Sequence, residues 1–309
     1  MLSAVSDVSV VIPVRDRAEL IGRCLDSVAA QTVAPRRVIV VDNGSTDDTP
    51  ARVLAWSRQH PEVPLDLLTE PKPGASAARN RGLKEVTTEY VLFFDSDDEM
   101  LPRLIEKASA AIGDSDLVYW QGERIGFDGK RFLTPFYRGE LTRRHFYNAL
   151  LSTQLYMART SLTRRAGGWE ERAMVWNDWE LGVRITLQNP SVASVDEVLT
   201  RIHLQKKSIT GSAFIDKRGA WENTLRLVEV DIERSDLSMD AKRRMLRMAA
   251  YRRAILSAQY MREGARAASL ELLRKALGGS GLGAISQLWL RILWRYTSAG
   301  GRGAYYFWR

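Results

Sequence analysis

The sequence has 309 residues, of which 45% are hydrophobic and 27% are charged, as is typical of a globular protein. A single cysteine, Cys24, excludes an intramolecular disulfide, and three histidines exclude a histidine-rich metal site. The N-terminal residues do not resemble a signal peptide, and no run of about 18 apolar residues predicts a transmembrane helix. We therefore expect a cytoplasmic protein.

The net charge of +8 is concentrated in the C-terminal third of the chain. Residues 217–309 contain 18 Lys and Arg against 8 Asp and Glu, whereas residues 1–216 contain 27 against 29. A basic region of this kind is compatible with a nucleic acid partner, with an anionic membrane or with solvation alone. Charge by itself leaves these three alternatives open.

The first hundred residues alternate between predicted strands and predicted helices. Ligands in open α/β sheets bind beyond the carboxyl ends of the strands, and the polar clusters of this sequence fall there. The pattern therefore predicts an α/β protein with a mostly parallel sheet. Strands are predicted at residues 8–14, 37–42, 65–69 and 90–94, and helices at about 20–28, 48–60 and 74–86.

Beyond residue 100 the pattern is mixed, and from about 217 to 276 it is strongly helical and charged. The segment 192–203 favours two short strands, and the stretch from 120 to 137 favours aromatic loops. Other elements are a strand near 116–120 and helices near 101–112, 141–150 and 179–188.

Three carboxylates, Asp95, Asp97 and Asp98, directly follow the apolar strand at 90–94. A hard divalent cation such as Mg²⁺ or Mn²⁺ would relieve their mutual repulsion, and substrate phosphates usually complete the coordination of such ions. A solvated acidic turn is the alternative. The position at a strand end favours the metal and phosphate site.

Two further polar segments lie near predicted strand ends. Asp42 ends the second strand and opens Asp-Asn-Gly-Ser-Thr-Asp, which is either a structural turn or, with Gly44 permitting close approach, a contact to a base or ribose. Gly74 opens a helix whose N-terminus would attract an anion, with Arg79 in its second turn. A basic surface helix is the alternative for that segment.

Together these segments resemble the family 2 glycosyltransferases of the GT-A fold. The resemblance rests on Val-Ile-Pro-Val at 11–14, Val-Asp-Asn-Gly-Ser-Thr-Asp at 41–47, Gly-Ala-Ser-Ala-Ala-Arg-Asn at 74–80 and Phe-Asp-Ser-Asp-Asp at 94–98. It covers residues 6–100 and extends more loosely to about 210. It implies a Rossmann-like sheet flanked by helices, with a catalytic domain at 1–215 and a helical basic region at 216–309. Within that domain it implies a nucleotide-binding half at 1–100 and an acceptor half at 101–215.

The resemblance also implies roles for individual residues. Asp97 stands at the second acidic position of the family's Asp-x-Asp motif and would bind Mn²⁺ or Mg²⁺ directly. His203 resembles a histidine that some members place near the metal or diphosphate, and Lys206, Lys207 and Ser208 after it would close as a lid. A structural histidine and a solvated basic loop are the alternatives. The residues that would contact the nucleotide sugar are Pro13, Val14, Asp16, Asp42, Gly74, Arg79, Asp95 and Ser96.

The segment Trp-Asn-Asp-Trp-Glu at 176–180 resembles the part of the family that carries the catalytic base. Asp178 would deprotonate the acceptor hydroxyl, and Glu180 is the second candidate. The alternative is that Asp178 caps the helix predicted at 179–188. An inverting displacement needs a base opposite the leaving nucleotide and positive charge at the diphosphate.

We therefore expect an inverting glycosyltransferase that moves a sugar from a nucleotide sugar, with UDP as the family's commonest carrier, to a glycan or lipid-linked acceptor. The residues after the first strand, Arg-Asp-Arg-Ala at 15–18, lack the glycine-rich loop of a nucleotidyltransferase, dehydrogenase or methyltransferase. A non-catalytic basic binding protein remains an alternative. Complete acidic motifs argue against a non-catalytic, decayed enzyme, and nucleic acid is not the expected partner.

The tail at 278–309 contains a helical apolar stripe, flanked by Arg291 and Arg295. Such a pattern is typical of a helix that lies on an anionic bilayer, here the inner face of the membrane, where a lipid-linked acceptor would be presented. Equally, the stripe would pack back on the catalytic domain. Both interpretations stay open for the stripe residues Ile285, Leu288, Trp289, Ile292, Leu293 and Tyr296.

Overall fold

The computed structural model describes residues 5–136, 139–205, 213–278 and 282–301. Within these ranges the chain forms one large sheet flanked by helices, followed by a helical C-terminal region. The strands are β1 Val5–Val14, β2 Ala34–Asp42, β3 Leu65–Thr69, β4 Tyr90–Phe93, β5 Glu99–Met100, β6 Leu117–Ile125, β7 Arg131–Leu133, β8 Tyr156–Arg159 and β9 Val192–His203. The helices are α1 Ile21–Ala29, α2 Thr49–Gln59, α3 Ala75–Glu85, α4 Leu104–Ile112, α5 Leu141–Asn148, α6 Thr160–Arg165, α7 Asn177–Leu187, α8 Arg218–Arg234, α9 Met239–Arg262, α10 Arg266–Gly278 and α11 Ala284–Ser298.

The sheet has the strand order β3-β2-β1-β4-β8-β6-β9-β5, with β7 paired to β6. The first four strands are parallel, β8 is antiparallel to β4 and to β6, and β9 is parallel to β6. The chain moves outward from β1 through β2 to β3 and then returns to the other side of β1 with β4. This reversal creates a crevice at the carboxyl ends of β1 and β4, which is where α/β sheets bind ligands.

The central strand β1 is apolar along most of its length because helices cover both faces of the sheet. Val10, Ile12 and Val14 belong to one core cluster, with α1 and α4, and Val11 belongs to the other, with α3. Gly82 lets α3 lie close to the sheet, since a Cβ there would overlap the side chain of Val11. The predicted α/β architecture is confirmed, and burial on both faces explains the continuous β-branched run.

Two strand predictions beyond residue 100 are wrong. The two short strands expected within 192–203 are one strand, β9, because a bulge absorbs the polar residues Asp196 and Glu197 while pairing with β6 continues. The stretch expected to be aromatic loops contains the end of β6 and the whole of β7. The charged residues Glu123 and Arg124 hid the continuation of β6, and β8 was too short to show a periodicity.

The C-terminal helices share a core with the second half of the sheet region. Trp221 of α8 packs in one cluster with Phe146 of α5 and Trp179 of α7, and α11 packs on α9 through Leu290 and Leu293. The boundary predicted at 215/216 falls at a 3₁₀ helix, Ile215–Lys217, and the division into domains remains a prediction. Among the described residues, no helix is both long and apolar enough to cross a membrane.

Candidate active site

The predicted site residues converge at the carboxyl edge of the parallel strands. Val14 at the end of β1 pairs with Asp42 at the end of β2, and β4 leads directly toward Asp95. On the other side, Asn177 Nδ2 at the start of α7 donates to Ser76 Oγ in the first turn of α3 (3.4 Å). The segment of the candidate base therefore lies beside the N-terminus of α3.

The loops after β1 and β2 are joined by reciprocal hydrogen bonds. The Asp16 backbone N–H donates to Ser45 Oγ (3.0 Å), and the Thr46 N–H donates to Asp16 Oδ1 (2.7 Å). The second of these bonds is the main reason that the pKa of Asp16 lies below its usual value. Asp16 has a φ of 50°, so it occupies a left-handed conformation that this loop-to-loop contact holds in place.

Pro13, Val14 and Asp42 form the buried floor under these loops. Val14 is 2% exposed and its side chain lies in a core cluster, while its carbonyl accepts from the Asn43 N–H (2.9 Å). The buried Asp42 carboxylate accepts only long hydrogen bonds from the Ser45 N–H, at 3.3 Å to each oxygen. Asp42 therefore keeps hydrogen-bonding capacity for a ligand, whereas the side chain of Val14 contributes to the core.

Asn43, for which no separate role was predicted, connects β2 to the start of α3. Its Nδ2 donates to the carbonyls of Glu70 (2.8 Å) and Lys72 (2.7 Å), and its Oδ1 accepts from the Gly74 N–H (2.7 Å). Gly74 has a φ of 126°, which a side chain at this position would disfavour. Its position directly after a strand was the only sequence signal for Asn43.

Arg79 joins α3 to the acidic segment. Its Nη2 lies 2.6 Å from Asp95 Oδ1, and its guanidinium carbon lies 4.3 Å from the centre of the Trp169 ring. The side chain is only 6% exposed, yet Nε and Nη1 have no hydrogen-bond partner among the described residues. Buried donors are normally satisfied, so these two nitrogens point to a missing acceptor such as a phosphate oxygen.

Trp169 is held in place by a matching pair of hydrogen bonds to α3. Asn80 Nδ2 donates to the Trp169 carbonyl, and the Trp169 N–H donates to Asn80 Oδ1, both at 2.8 Å. The preceding Gly168 has a φ of 68° and lies against Asn80. The glycine pair before Trp169 therefore has a structural purpose, which is to bring the tryptophan ring under Arg79.

The carboxylate of Asp97 is partly exposed and lies near the side chain of Arg17. Its side chain is 20% exposed, and Oδ2 lies 3.6 Å from Arg17 Nε, a separation too long for a strong hydrogen bond. Burial, followed by the neighbouring Asp95, raises the pKa of Asp97. A cation bound at this carboxylate would relieve that repulsion.

Unlike Asp97, neither Asp98 nor Ser96 is arranged as a metal ligand. The buried Asp98 carboxylate accepts from Gln154 Nε2 (2.7 Å) and from the His203 backbone N–H (2.8 Å), so both of its oxygens are already used. Ser96 is 7% exposed and lies between Asp95 and Asp97 along the chain. Asp98 thus fixes the end of β9 against the acidic segment.

His203, the last residue of β9, has its Nε2 3.3 Å from Glu99 Oε1. Burial lowers the pKa of this imidazole and favours its neutral, metal-binding form. No group of three or more His, Cys, Asp or Glu side chains is arranged around a metal position in the described part of the chain. One or two side chains, with waters and substrate phosphates, are the usual ligands of Mg²⁺, so Asp97 fits such an ion. Lys206, Lys207 and Ser208 lie outside the described residues.

Asp178 lies in the first turn of α7 and does not cap it. The helix begins at Asn177, and Trp176 before it has a φ of 51°. Asp178 Oδ1 accepts from the Trp179 N–H (2.8 Å). Burial raises the pKa of Asp178, while Arg79 lowers it and Asp95 raises it, so this carboxylate shares one electrostatic environment with the residues of the nucleotide side.

Glu180, the second candidate base, is already paired with Arg184. Its side chain is fully buried, and its two oxygens accept from Arg184 Nε (2.5 Å) and Nη2 (2.6 Å). A bidentate arginine pair of this kind holds a carboxylate in place and leaves it no position for an acceptor. The geometry therefore favours Asp178 over Glu180.

The family model described as glycosyl transferase family 2 matches residues 9–168, just over half of the chain. An uncharacterized glycosyltransferase of Escherichia coli K12, YibD, is 32% identical over 117 residues, which are 38% of this chain and 33% of that protein. A PGL/p-HBAD biosynthesis glycosyltransferase of Mycobacterium bovis BCG is 29% identical over 201 residues, 60% of this chain and 72% of that protein. The matches span between 33% and 51% of the length of the first four curated relatives.

Solved structures show the same fold at low identity. Staphylococcus aureus TarS in complex with UDP-GlcNAc superposes with a TM-score of 0.69 at 21% identity, covering 96% of this chain and 89% of that chain. The mannosyltransferase PcManGT of Pyrobaculum calidifontis in complex with GDP-Man and Mn²⁺ gives 0.58 at 20% identity, covering 95% and 83%. These likenesses confirm the predicted GT-A fold. With a family model matching just over half of its length, the chain belongs to glycosyl transferase family 2.

Proposed function

We propose that this enzyme moves a sugar from a nucleotide sugar to an acceptor hydroxyl by a single inverting displacement. The observation that carries the proposal is that the ion pair of Arg79 with Asp95 (2.6 Å) acts electrostatically on Asp178. The arrangement places the carboxylate of Asp178, whose pKa is raised, in the same electrostatic environment as the cation Arg79, which would bind an anion. A base and an electrostatic stabiliser of the leaving group are the two requirements of the reaction.

On the donor side, we assign the nucleoside to the joined loops after β1 and β2, with Asp16 and Asp42 as its polar contacts. The diphosphate would lie at Gly74 and the N-terminus of α3, where backbone N–H groups favour anions. The two unpartnered nitrogens of Arg79 would donate to it. Structural neighbours were solved with UDP, UDP-GlcNAc and GDP-Man, which supports a nucleotide sugar and, with TarS, a UDP sugar as the first candidate.

Asp97 would hold a Mn²⁺ or Mg²⁺ ion, with His203 as a second ligand once its contact to Glu99 is released. Bound there, the ion would supply Lewis-acid stabilisation of the diphosphate. A structural neighbour was solved with Mn²⁺. Arg17 and Arg23 flank this position and reduce the repulsion among the acidic side chains.

On the acceptor side, Asp178 would accept the proton of the attacking hydroxyl. A bond forms between the acceptor oxygen and the anomeric carbon as the bond from that carbon to the diphosphate oxygen breaks. The electron pair of the broken bond stays with the nucleoside diphosphate, beside Arg79. Attack from the side opposite the leaving group inverts the anomeric centre, and a glycan or lipid-linked hydroxyl is the proposed acceptor.

The test begins with thermal shifts for UDP, GDP, dTDP and CDP sugars with and without Mn²⁺, since ligands of the folded state raise its apparent stability. The donor so identified is then titrated by calorimetry into Asp97→Ala, Asp178→Asn and, as a surface control, Asp114→Ala. Turnover is followed as release of the nucleoside diphosphate. We expect Asp97→Ala to lose metal-dependent binding and Asp178→Asn to keep binding but lose at least about a hundredfold in turnover.

Normal metal-dependent binding by Asp97→Ala would contradict the assignment of the metal. Full turnover by Asp178→Asn would place the base elsewhere. The configuration of the product, read by NMR of the anomeric proton, tests inversion separately. Retention at the anomeric carbon would exclude the single displacement.

A further inference from the structure

Helix α11 exposes a continuous apolar stripe to solvent. One side of the helix packs on α9 through Leu290 and Leu293, so Leu293, which was predicted to belong to the stripe, is buried instead. The other five residues predicted for the stripe lie on the opposite side. Their spacing places them along one line of the helix, which we term the outer face of α11. Its members, with their exposures, are Ile285 (75%), Leu288 (55%), Trp289 (47%), Ile292 (47%) and Tyr296 (41%).

The surroundings of this outer face are basic. Helix α11 contains no acidic residue, and after Glu271 the sequence contains six Lys and Arg and no Asp or Glu. Arg291 and Arg295 are exposed beside the stripe, and neither forms an ion pair with a carboxylate in the described residues. An exposed apolar stripe bordered by unneutralised cations is the surface that an interfacial helix presents to anionic lipid.

We propose that the outer face of α11 docks on an anionic bilayer, with the helix lying in the interface. Trp289 and Tyr296 would sit at the headgroup level, where amphipathic aromatic side chains are favoured. Arg291 and Arg295 would contact lipid phosphates while their apolar stems cover the stripe. A second copy of the chain is disfavoured as the occupant, because pairing this face would bring together two regions that each carry a net charge of +10.

The experiment uses the full chain and vesicles of phosphatidylcholine, alone or mixed with phosphatidylglycerol, in co-sedimentation. One variant combines Leu288→Ser, Trp289→Ser and Ile292→Ser, and another combines Arg291→Glu and Arg295→Glu. The matched control is Met239→Ser, which removes an apolar side chain that is 64% exposed at the start of α9. Thermal unfolding of each variant verifies that these surface changes leave the fold intact.

We expect binding to the anionic vesicles that weakens with salt and is at least tenfold weaker for both combined variants but not for Met239→Ser. Each arginine near an anionic surface contributes roughly a fivefold change in partitioning. Equal sedimentation of all forms would overturn the proposal, as would equal binding to neutral and anionic vesicles. A dimer in ultracentrifugation that the serine variant dissociates, without vesicle binding by the wild type, would assign the face to a second copy instead.

A separate observation concerns Arg252 of α9, which reaches the segment of the candidate base. Its guanidinium carbon lies 5.0 Å from the Trp176 ring centre and 4.8 Å from that of Trp179, and Nε donates to the Phe146 carbonyl (2.8 Å). No carboxylate of the described residues forms an ion pair with it. The cation is therefore held by aromatic faces and one carbonyl.

The geometry points to Arg252 as a positioning residue for Asp178, an inference that rests on the proposed function of that carboxylate. By bridging Trp176 and Trp179, it fixes the turn that begins α7 on both sides of Asp178. Its charge also acts on the carboxylate. Four groups from different elements act electrostatically together with Asp178, namely Arg79, Asp95, Tyr156 and Arg252.

The test compares Arg252→Met, which removes the charge, with Arg252→Lys, which keeps the charge but loses the planar contact with the rings. Arg253→Lys is the control, since Arg253 pairs with Glu229 instead (2.5 Å). Donor binding is measured by calorimetry and the pH profile of kcat by nucleoside diphosphate release. Because Arg252 lowers the pKa of Asp178, its removal should move the acid limb of kcat to higher pH.

Arg252→Lys should keep the acid limb but lower kcat at least tenfold, with donor affinity unchanged. Wild-type profiles in both variants would overturn the inference about Arg252. If Arg252→Met does not fold, an unchanged kcat in Arg252→Lys is enough to overturn it. Loss of turnover in Asp178→Asn together with a wild-type Arg252→Met would leave the proposed function standing, whereas full turnover in Asp178→Asn would remove the proposed function itself.

Discussion

At the scale of single residues, Arg79 is a buried cation whose hydrogen-bond donors are only partly used. Asp95 neutralises one end of the guanidinium and Trp169 supports its face, but two nitrogens keep no partner among the described residues. An unpaired buried donor costs about 1–3 kcal/mol unless something binds to it. Under the proposed function, an oxygen of the diphosphate would accept from these nitrogens and remove that cost.

Arg79→Lys should weaken donor binding by about tenfold to a hundredfold, because a lysine offers a point charge in place of a planar fork and loses the contact with Trp169. Calorimetry with the donor and Mn²⁺ measures the loss. Arg81→Lys is the matched control, since Arg81 pairs with Glu85 on the surface of the same helix. Equal affinities for the two variants would remove Arg79 from the binding site.

The sequence predicted Asp97 from its place after a strand and Arg79 from its place in the second turn of a helix, whereas Asp178 was predicted from the resemblance of its segment to the family. It did not predict Arg252, because a basic residue within a helix carries no sign of which distant ring it contacts. The role of Asn43 was not predicted for a different reason, which is that its three hydrogen bonds join it to backbone groups 27 to 31 residues away. Local sequence patterns identify residue types and their positions within an element, whereas the partners of these two residues are distant in sequence and are brought close only by folding.

At the scale of elements, helices α5 and α7 approach each other unusually closely at Gly182. A Cβ at this position would overlap the imidazole of His145. That imidazole accepts from the Leu151 N–H at Nδ1 (3.1 Å) and contacts the Trp179 carbonyl through Nε2 (2.8 Å). Since Nδ1 is an acceptor, Nε2 carries the proton, and the histidine links α5 to the helix that carries Asp178.

Gly182→Ala should lower the free energy of unfolding by about 2–4 kcal/mol, because the methyl group forces the histidine away from both of its partners. Urea denaturation provides the measurement. Gly219→Ala, in α8 with open space around it, is the control and should be neutral or stabilising by up to about 1 kcal/mol. Similar losses in the two variants would contradict a specific contact at Gly182.

The same histidine predicts a dependence of stability on pH. Burial lowers the pKa of His145 to about 3, below that of the unfolded chain. Between about pH 6.5 and 3 the unfolded state therefore binds more protons, and stability is lost as the pH falls, by up to about 1.4 kcal/mol per unit. His145→Gln lacks this group, so its unfolding free energy should decline less than that of the wild type over this range. Parallel pH curves for both proteins would show that His145 does not contribute.

At the scale of the whole molecule, the sheet region and the C-terminal helices share one apolar cluster. Trp221 of α8 lies 4.7 Å from the ring of Trp176, beside the candidate base, and is 1% exposed. Phe146 and Trp179 complete the contact from the sheet side. Unfolding of α8 and α9 would expose this cluster, so the two regions should not lose structure independently.

We therefore expect a single unfolding transition whose calorimetric and van't Hoff enthalpies agree. Trp221→Ala should lower the free energy of unfolding by about 3–5 kcal/mol and shift that one transition as a whole. Differential scanning calorimetry with circular dichroism tests both statements. Two separated transitions would instead support independent units divided near residue 215.

The sequence by itself determined the family, the parallel strands and the edge at which the site lies. It could do so because parallel strands align their carboxyl ends, so motifs at strand ends must meet. The periodicity of α11 also predicted most of the residues that share its outer face, but it wrongly included Leu293. Only the tertiary structure decided that this side faces outward, because Leu290 and Leu293 on the opposite side occupy the groove of α9. A sequence pattern specifies which residues share one face of a helix, but whether that face is buried depends on which distant part of the chain packs against it. The contacts of Arg252 and His145 are also made with distant parts of the chain, so only the fold revealed them.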